Sequence, residues 1–256
     1  MTKTHDSWNA HLYDGKHRFI SNYGTDLIEV LAPRQGEKIL DLGCGTGDLA
    51  NRLHGLGVDV IGVDKSENMV TQAKKKYPAI PFEVRDATNL GFTEEFDAVF
   101  SNAVLHWIRT PKEALQSIQE SLQLKGRFVA EFGAKGNVQT ITDEIQRQLK
   151  AAGYEDHAKR FPWYFPSIAE YTALMEDVGF QVELAQHFER PTPLEGISGM
   201  KNWIEMFGSS FFEGISEVEK EKILDAVVQH LKEKLYIDGV WIADYQRIRI
   251  VGIRVR

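Results

Sequence analysis

One cysteine, Cys44, is all the thiol that the 256-residue chain carries. No intrachain disulfide can form, so a reducing compartment, the cytoplasm, is the expected setting. Long apolar runs are missing too. No stretch reaches the roughly 18 residues of a membrane helix, and the polar segment Met1–Asn9 has no apolar core of signal-peptide length. Basic residues are in the minority, with 30 Lys and Arg against 37 Asp and Glu and a formal net charge of −7. Bulk binding to nucleic acid or to an anionic membrane needs a basic face, so neither partner is expected. His and Cys never take the spacing of metal ligands, and no metal site is expected. Repeats and low-complexity linkers are also lacking. What remains is 43% hydrophobic and 26% charged, the composition of one α/β domain with a sizeable insertion.

Strands and helices alternate after an N-terminal helical stretch over residues 8–32, which Pro33 and Gly36 stop. Lys38–Leu42 reads as a strand, Asp48–Leu56 as a helix with Leu49, Leu53 and Leu56 on one side, and Val58–Val63 as a second strand. Ser66 caps a helix through Lys76. Phe82–Val84 and Asp97–Phe100 follow as strands. Thr110, Pro111 and Glu113 suggest an N-cap, a Pro at the first helical position and a capping box, for a helix to about Leu122. Gly126–Phe132 is the fifth strand. Such alternation means βαβ units and a mostly parallel, Rossmann-like sheet.

The second half adds a helix over 138–150, an aromatic loop over Phe161–Pro166, and a helix from the Ser167/Glu170 capping box to Gly179. Phe180–Phe188 is the sixth strand and Ile248–Val255 the last. Helices Ile197–Phe207 and Ser216–Leu235 come between, the latter with a stripe of Leu224, Val227, Val228, Leu231 and Leu235. The expected fold is therefore a single α/β domain with seven strands, helices on both faces and a helical lid inserted before the last strand. Residues 1–36 would form a gate, 37–136 the cofactor-binding core, and 137–166 with 196–236 the lid or substrate cap. Trp8, Tyr13, His17, Phe19 and Tyr23 concentrate aromatic groups in the gate.

The motif that carries chemistry is Asp41-Leu42-Gly43-Cys44-Gly45-Thr46-Gly47-Asp48. It follows a strand and opens a helix, the context in which a glycine-rich loop has meaning. A pyrophosphate loop normally has its third glycine one residue later, whereas here the spacing is G-x-G-x-G with an acidic residue just before it. S-adenosylmethionine brings no phosphate; it brings an ammonium, a carboxylate and a sulfonium. Asp41 suits the ammonium, and exposed loop amides suit the carboxylate. Asp64, ending the second strand, can accept from ribose hydroxyls. Asp86, after the third, can accept from the adenine amino group.

These residues, with Gly62-Val63-Asp64, Arg85-Asp86-Ala87 and the run Phe96–Trp107, resemble the core of the class I S-adenosylmethionine-dependent methyltransferases. Trp8-Asn9 with Tyr13, the segments Glu131–Asn137 and Arg190–Leu194, and Ala243-Asp244-Tyr245 with Arg247 extend the likeness to the bacterial branch that includes trans-aconitate methyltransferase. The resemblance implies that Gly43, Gly45, Asp64 and Asp86 bind the cofactor. It also implies that Ala87 flanks the adenine, that Ser101 and Asn102 lie near the methionine part, and that Tyr13 and Phe19 help to close over it. Cys44, Lys65 and Met69 complete the expected set, Cys44 as a buried and inert thiol.

The expected reaction is methyl transfer to a small-molecule acceptor, with S-adenosylhomocysteine as product. A carboxylate acceptor needs no base and calls for cations such as Arg18, Arg190 or Arg247. A hydroxyl or amine acceptor would use His106, His17 or Tyr13 as base. His106 and Trp107 can equally be a packed pair that fixes their loop. Ser101-Asn102-Ala103-Val104 lacks the Pro-Pro-aromatic element that holds a flipped adenine, which speaks against DNA methylation. Two other functions fit less well: a non-catalytic S-adenosylmethionine sensor and a nicotinamide-dependent oxidoreductase. A monomer or weak homodimer is expected.

Overall fold

Strand β1, Lys38–Leu42, pairs in parallel with β2, Asp59–Asp64, on one side and with β4, Phe96–Asn102, on the other. Its apolar residues Ile39, Leu40 and Leu42 are fully buried, as a near-continuous hydrophobic run in a doubly covered parallel strand requires. These relationships come from a computed structural model that describes residues 26–256. The segment 8–25, with Trp8, Tyr13, His17, Arg18, Phe19 and Tyr23, lies outside the described residues; of the N-terminal stretch only 26–32 is described, with 26–31 as helix.

Beyond β2 comes the short β3, Phe82–Val84, and beyond β4 comes β5, Leu122–Gly133, both parallel to their neighbours. Helix α1 (Asp48–Gly55) follows β1, α2 (Glu67–Lys76) follows β2, and α3 (Pro111–Ser121) precedes β5. Further along stand α4 (Gln139–Ala151), α5 (Glu155–Ala158), α6 (Ile168–Val178), β6 (Phe180–Leu194), α7 (Gly199–Phe207), α8 (Glu217–Leu235), β7 (Tyr236–Ile237) and β8 (Val240–Arg254). The sheet order is β3-β2-β1-β4-β5-β8-β6, with β7 pairing on β8. Chain direction across the sheet reverses between β1 and β4, and a crevice at that switch point is where sheets of this kind bind ligands.

The chain divides into two units. Among the described residues the first comprises 26–132, 166–186 and 248–256, and the second 133–165 and 187–247. In the first, Leu27, Leu31, Ile39, Leu53, Val60, Phe82, Phe100 and Val129 share a core. In the second, Trp163 stacks on Phe165 with ring centroids 5.6 Å apart and lies 6.2 Å from Trp203, which packs at 5.4 Å from Phe207. The Trp203 indole N–H donates to the Tyr245 hydroxyl at 2.5 Å, satisfying a polar edge that burial would otherwise strand.

Local chemistry sets most element ends. Ser66 Oγ accepts from the Met69 amide at 3.2 Å, and Ser167 with Glu170 forms the reciprocal capping box of α6, which Gly179 ends at φ 106°. The expected capping box at Thr110 does not form. Thr110 sits at φ −117°, ψ 69°, away from the extended backbone that aims a cap oxygen at the first turn, and only Pro111 keeps its expected place. Among the described residues the sheet has eight strands rather than seven. Asp238 and Gly239, both left-handed, turn β7 into β8, the Asp-Gly hairpin geometry. Strands β5, β6 and β8 all run longer than their apolar alternation suggests. Leu56 falls beyond α1 and is 54% exposed instead of joining the Leu53 face.

Candidate active site

The loop after β1 turns through three left-handed glycines, Gly43, Gly45 and Gly47, at φ 74°, 55° and 89°. A Cβ on Gly43 would stand 2.1 Å from Val104 Cγ2, whereas one on Gly45 meets nothing within 4 Å. Gly43 is thus glycine because a neighbour presses on it, and Gly45 borders open space. The amides of Gly43 and Cys44 both donate to the Val63 carbonyl, at 2.7 and 3.0 Å, and Gly47 donates to the Cys44 carbonyl at 2.9 Å. The Gly45 amide donates to Asp64 Oδ2 at 3.0 Å. Most of the amides expected to meet a ligand carboxylate are therefore paired within the protein.

Asp64, at the end of β2, does double duty. Besides Gly45 it accepts from the Ser66 amide, through Oδ1, at 2.9 Å. One carboxylate therefore ties the glycine loop to the turn that opens α2. Asp41, at the end of β1, is 2% exposed, and its Oδ2 has no hydrogen-bond partner. Burial, reinforced by the Asp64 carboxylate and opposed by the Ala50 amide, pushes its pKa up to about 7. Burial next to Asp41 and Asp64 likewise pushes the Cys44 thiol well above its ordinary range.

Asp86 follows β3. Its Oδ1 accepts from the Thr88 amide at 3.0 Å and the Thr88 hydroxyl at 2.8 Å, and its Oδ2 meets Lys65 Nζ at 2.7 Å. Burial by itself would raise its pKa, but the Lys65 ammonium and the two Thr88 bonds outweigh it and hold the carboxyl below the usual range. Ala87 and Met69 are buried beside these ends. Ser101, 1% exposed, donates through Oγ to the Leu42 carbonyl at 3.0 Å and ties the end of β4 to that of β1. Asn102 ends β4, half-buried. His106 is buried in a single-turn helix Leu105–Trp107, its ring centroid 5.4 Å from that of Trp107.

The edge from β3 to β4 is thus linked by contacts: Lys65 to Asp86, Asp64 to Gly45, Asp41 beside Asp64, Gly43 against Val104, and Ser101 to Leu42. Among the described residues an unpaired, buried carboxylate oxygen beside a glycine with open space fits a ligand with a cationic end, as S-adenosylmethionine has. No group of His, Cys, Asp and Glu among the described residues could hold a metal. Tyr13, His17 and Phe19 fall outside the described residues. Arg190 lies over Phe188 at 5.0 Å, and the buried Arg247 lies over Tyr245 at 4.4 Å, both within the second unit.

Sequence reading missed Thr88, Val104 and the pair Glu131–Arg249. Asp86-Ala87-Thr88 has the spacing of a side-chain turn, so Thr88 could have been found. Val104 gives no signal of its own. Glu131 and Arg249 are separated by 118 positions, and no local pattern links them.

A methyltransferase-domain family model matches residues 40–130. The chain is 34% identical to an uncharacterized methyltransferase of Schizosaccharomyces pombe, over 96% of this chain and 98% of that one. It is 26% identical to trans-aconitate 2-methyltransferase of Acidovorax ebreus, over 98% and 99% of the two chains. Among solved structures the YcgJ protein of Bacillus subtilis superposes with a TM-score of 0.64 at 18% identity, over 92% of this chain and 99% of that one. No described helix is long and apolar enough to cross a membrane.

Proposed function

Because the chain belongs to the class I S-adenosylmethionine-dependent methyltransferases, we propose that it O-methylates a small acceptor, a carboxylate in the first instance and otherwise a hydroxyl. The observation that carries cofactor placement is the row of carboxylates at the ends of three adjacent parallel strands. Asp41 would hold the ammonium end, Asp64 the ribose diol and Asp86 the adenine amino group. Bound there, S-adenosylmethionine supplies a methyl carbon already activated by its sulfonium. The protein's task is then alignment in a water-poor cavity rather than strong acid or base chemistry.

A carboxylate acceptor is favoured by the likeness to trans-aconitate 2-methyltransferase along almost the full length of both chains. Such an acceptor arrives as an anion and needs no base, which agrees with a His106 that is buried and packed beside Trp107. Selection of the acceptor is assigned to residues 137–166 and 196–236, where the aromatic residues of the second unit concentrate. Should the acceptor be a hydroxyl, His106 is the described residue that would take its proton.

The test is release of S-adenosylhomocysteine from S-adenosylmethionine with a panel of small di- and tricarboxylic acids, trans-aconitate included, beside alcohols and amines. Turnover with an acid giving a base-labile methyl ester is the expected result. Turnover with amines alone would overturn O-methylation. Methylation of folded protein or duplex nucleic acid with no small acceptor found would overturn the small-molecule reading.

A further inference from the structure

Trp241, Ala243, Tyr245 and Arg247 are the buried positions in the first half of β8, while Ile242, Asp244 and Gln246 between them are half-buried. Alternation of this kind puts the four on one face of the strand. All belong to the second unit. The backbone that leads to Arg247 is fixed at the strand's edge. The Val138 amide donates to the Asp244 carbonyl at 3.0 Å, the Ala134 amide to the Gln246 carbonyl at 2.9 Å, and the Gln246 amide to Asn137 Oδ1 at 2.9 Å. The guanidinium is fixed in turn. It lies 4.4 Å from the centroid of the Tyr245 ring, and that ring is held through its hydroxyl by the Trp203 indole. Both the root and the head of this side chain are thus held in place.

We infer that Arg247 is a specificity-determining residue, pairing with a carboxylate of the acceptor other than the one that is methylated, so that the acceptor carries at least two. This rests on the carboxylate reading proposed above. A guanidinium presents its N–H donors in a planar fork that matches a carboxylate, and stacking on an aromatic face is compatible with that use. At 7% exposure its attraction for an anion is screened less than at the surface. Arg190 differs, being half-buried over Phe188 on β6, between the exposed Glu189 and Pro191. The group that Arg247 grips is not the one that reacts. Charge-assisted hydrogen bonds from a guanidinium draw electron density from a carboxylate and weaken it as a nucleophile. In the reaction a lone pair of the other carboxylate forms the new O–CH3 bond as the S–CH3 bond breaks, and no proton has to move.

The experiment measures kcat and KM by S-adenosylhomocysteine release for the full wild-type chain, Arg247→Gln and Arg247→Lys. The acceptors are trans-aconitate and the linear diacids from succinate to adipate, each beside a monoamide that keeps a carboxylate to react. Thermal melts and S-adenosylhomocysteine affinity check that each variant is folded. The wild type should prefer each acid that it methylates over the monoamide by about thirtyfold or more, through KM. Arg247→Gln should erase that preference by raising KM for the acid alone, with kcat much less affected. Arg247→Lys, which keeps the charge and loses the fork, should retain part of it. A merely structural arginine would cost the acid and the monoamide alike. Equal loss on both acceptors in Arg247→Gln would therefore overturn the role of Arg247. So would a wild type without the preference, a comparison that needs no variant to fold. Turnover with other acceptors and with no acid would overturn the carboxylate reading, and this inference with it.

Discussion

Arg249 on β8 donates from both Nε and Nη2, at 2.9 and 2.7 Å, to a single oxygen of Glu131 on β5, and the two side chains are only 15% and 2% exposed. Glu131 is paired in register with Asn102, the last residue of β4, and its carbonyl receives the Ala103 amide at 2.7 Å. A buried ion pair is held by its completeness, because removing one partner strands the other charge. Arg249→Met is therefore expected to destabilise the fold by roughly 3–5 kcal/mol. A urea denaturation series reads this as a lower midpoint with an unchanged slope. A midpoint equal to that of the wild type would show that Glu131 is sustained by other groups.

Asp41 makes stability depend on pH in an unusual direction. Its folded pKa, about 7, lies above the unfolded value near 3.8, so the folded state holds the proton more tightly across that interval. The unfolded chain then binds fewer protons, and this group's contribution to stability is fully present at low pH and lost as pH rises to about 7. The full difference corresponds to an upper bound of about 4 kcal/mol. Asp41→Asn removes the titration. It should therefore gain on the wild type as pH rises, with a clearly larger stability gap at pH 8 than at pH 5, in urea titrations at the two pH values. Equal gaps at both would show that Asp41 does not titrate in this range.

The same group predicts a proton balance. A cation brought to Asp41 favours its ionised form, so S-adenosylmethionine binding at pH 6 should release a proton. Calorimetry in two buffers of different ionisation enthalpy measures this directly. Binding heats that do not depend on the buffer would place the ammonium elsewhere.

Two glycines of one loop should respond differently to alanine. Gly43→Ala combines left-handed strain of about 1–2 kcal/mol with overpacking against Val104 of about 1–3 kcal/mol. The double variant Gly43→Ala/Val104→Ala should recover the overpacking part, which a double-mutant cycle measures. Gly45→Ala has room, so its effect on stability should be limited to the strain, while its methyl group points into open space and should reduce cofactor affinity.

Much of this arrangement was legible in sequence because local rules fix it. β1 and β3 have the bounds that their apolar runs suggest, and the caps at Ser66 and Ser167 follow from one hydroxyl meeting one amide. The order Gly loop, Asp64, Asp86 was readable because each acid closes a strand. What escaped depends on long-range register. β8 starts at Val240, well before Ile248, because the chain turns back on β7 and pairs Val240 and Trp241 with Ile237 and Tyr236, a register that the local pattern does not show. Arg247, named from sequence only as a cation for a carboxylate acceptor, lies buried over the Tyr245 ring, a contact that no local pattern foretells. The pairing of the loop amides with Val63 and Asp64 could not be foreseen from glycine spacing, which shows that a chain can turn and not where its N–H groups then point.

The bond from Gly45 to Asp64 has a consequence for anyone redesigning this pocket. The loop's shape and the orientation of the proposed ribose acceptor form one mechanical coordinate, since the carboxylate that would grip the sugar is also the staple of the loop. A substitution at position 64 meant to admit a deoxy-sugar or a carbocyclic analogue would also release the Gly45 amide and loosen the turn. Altered nucleoside tolerance would then have to be engineered as a pair of changes, with a new acceptor supplied for the Gly45 amide before the old one is taken away.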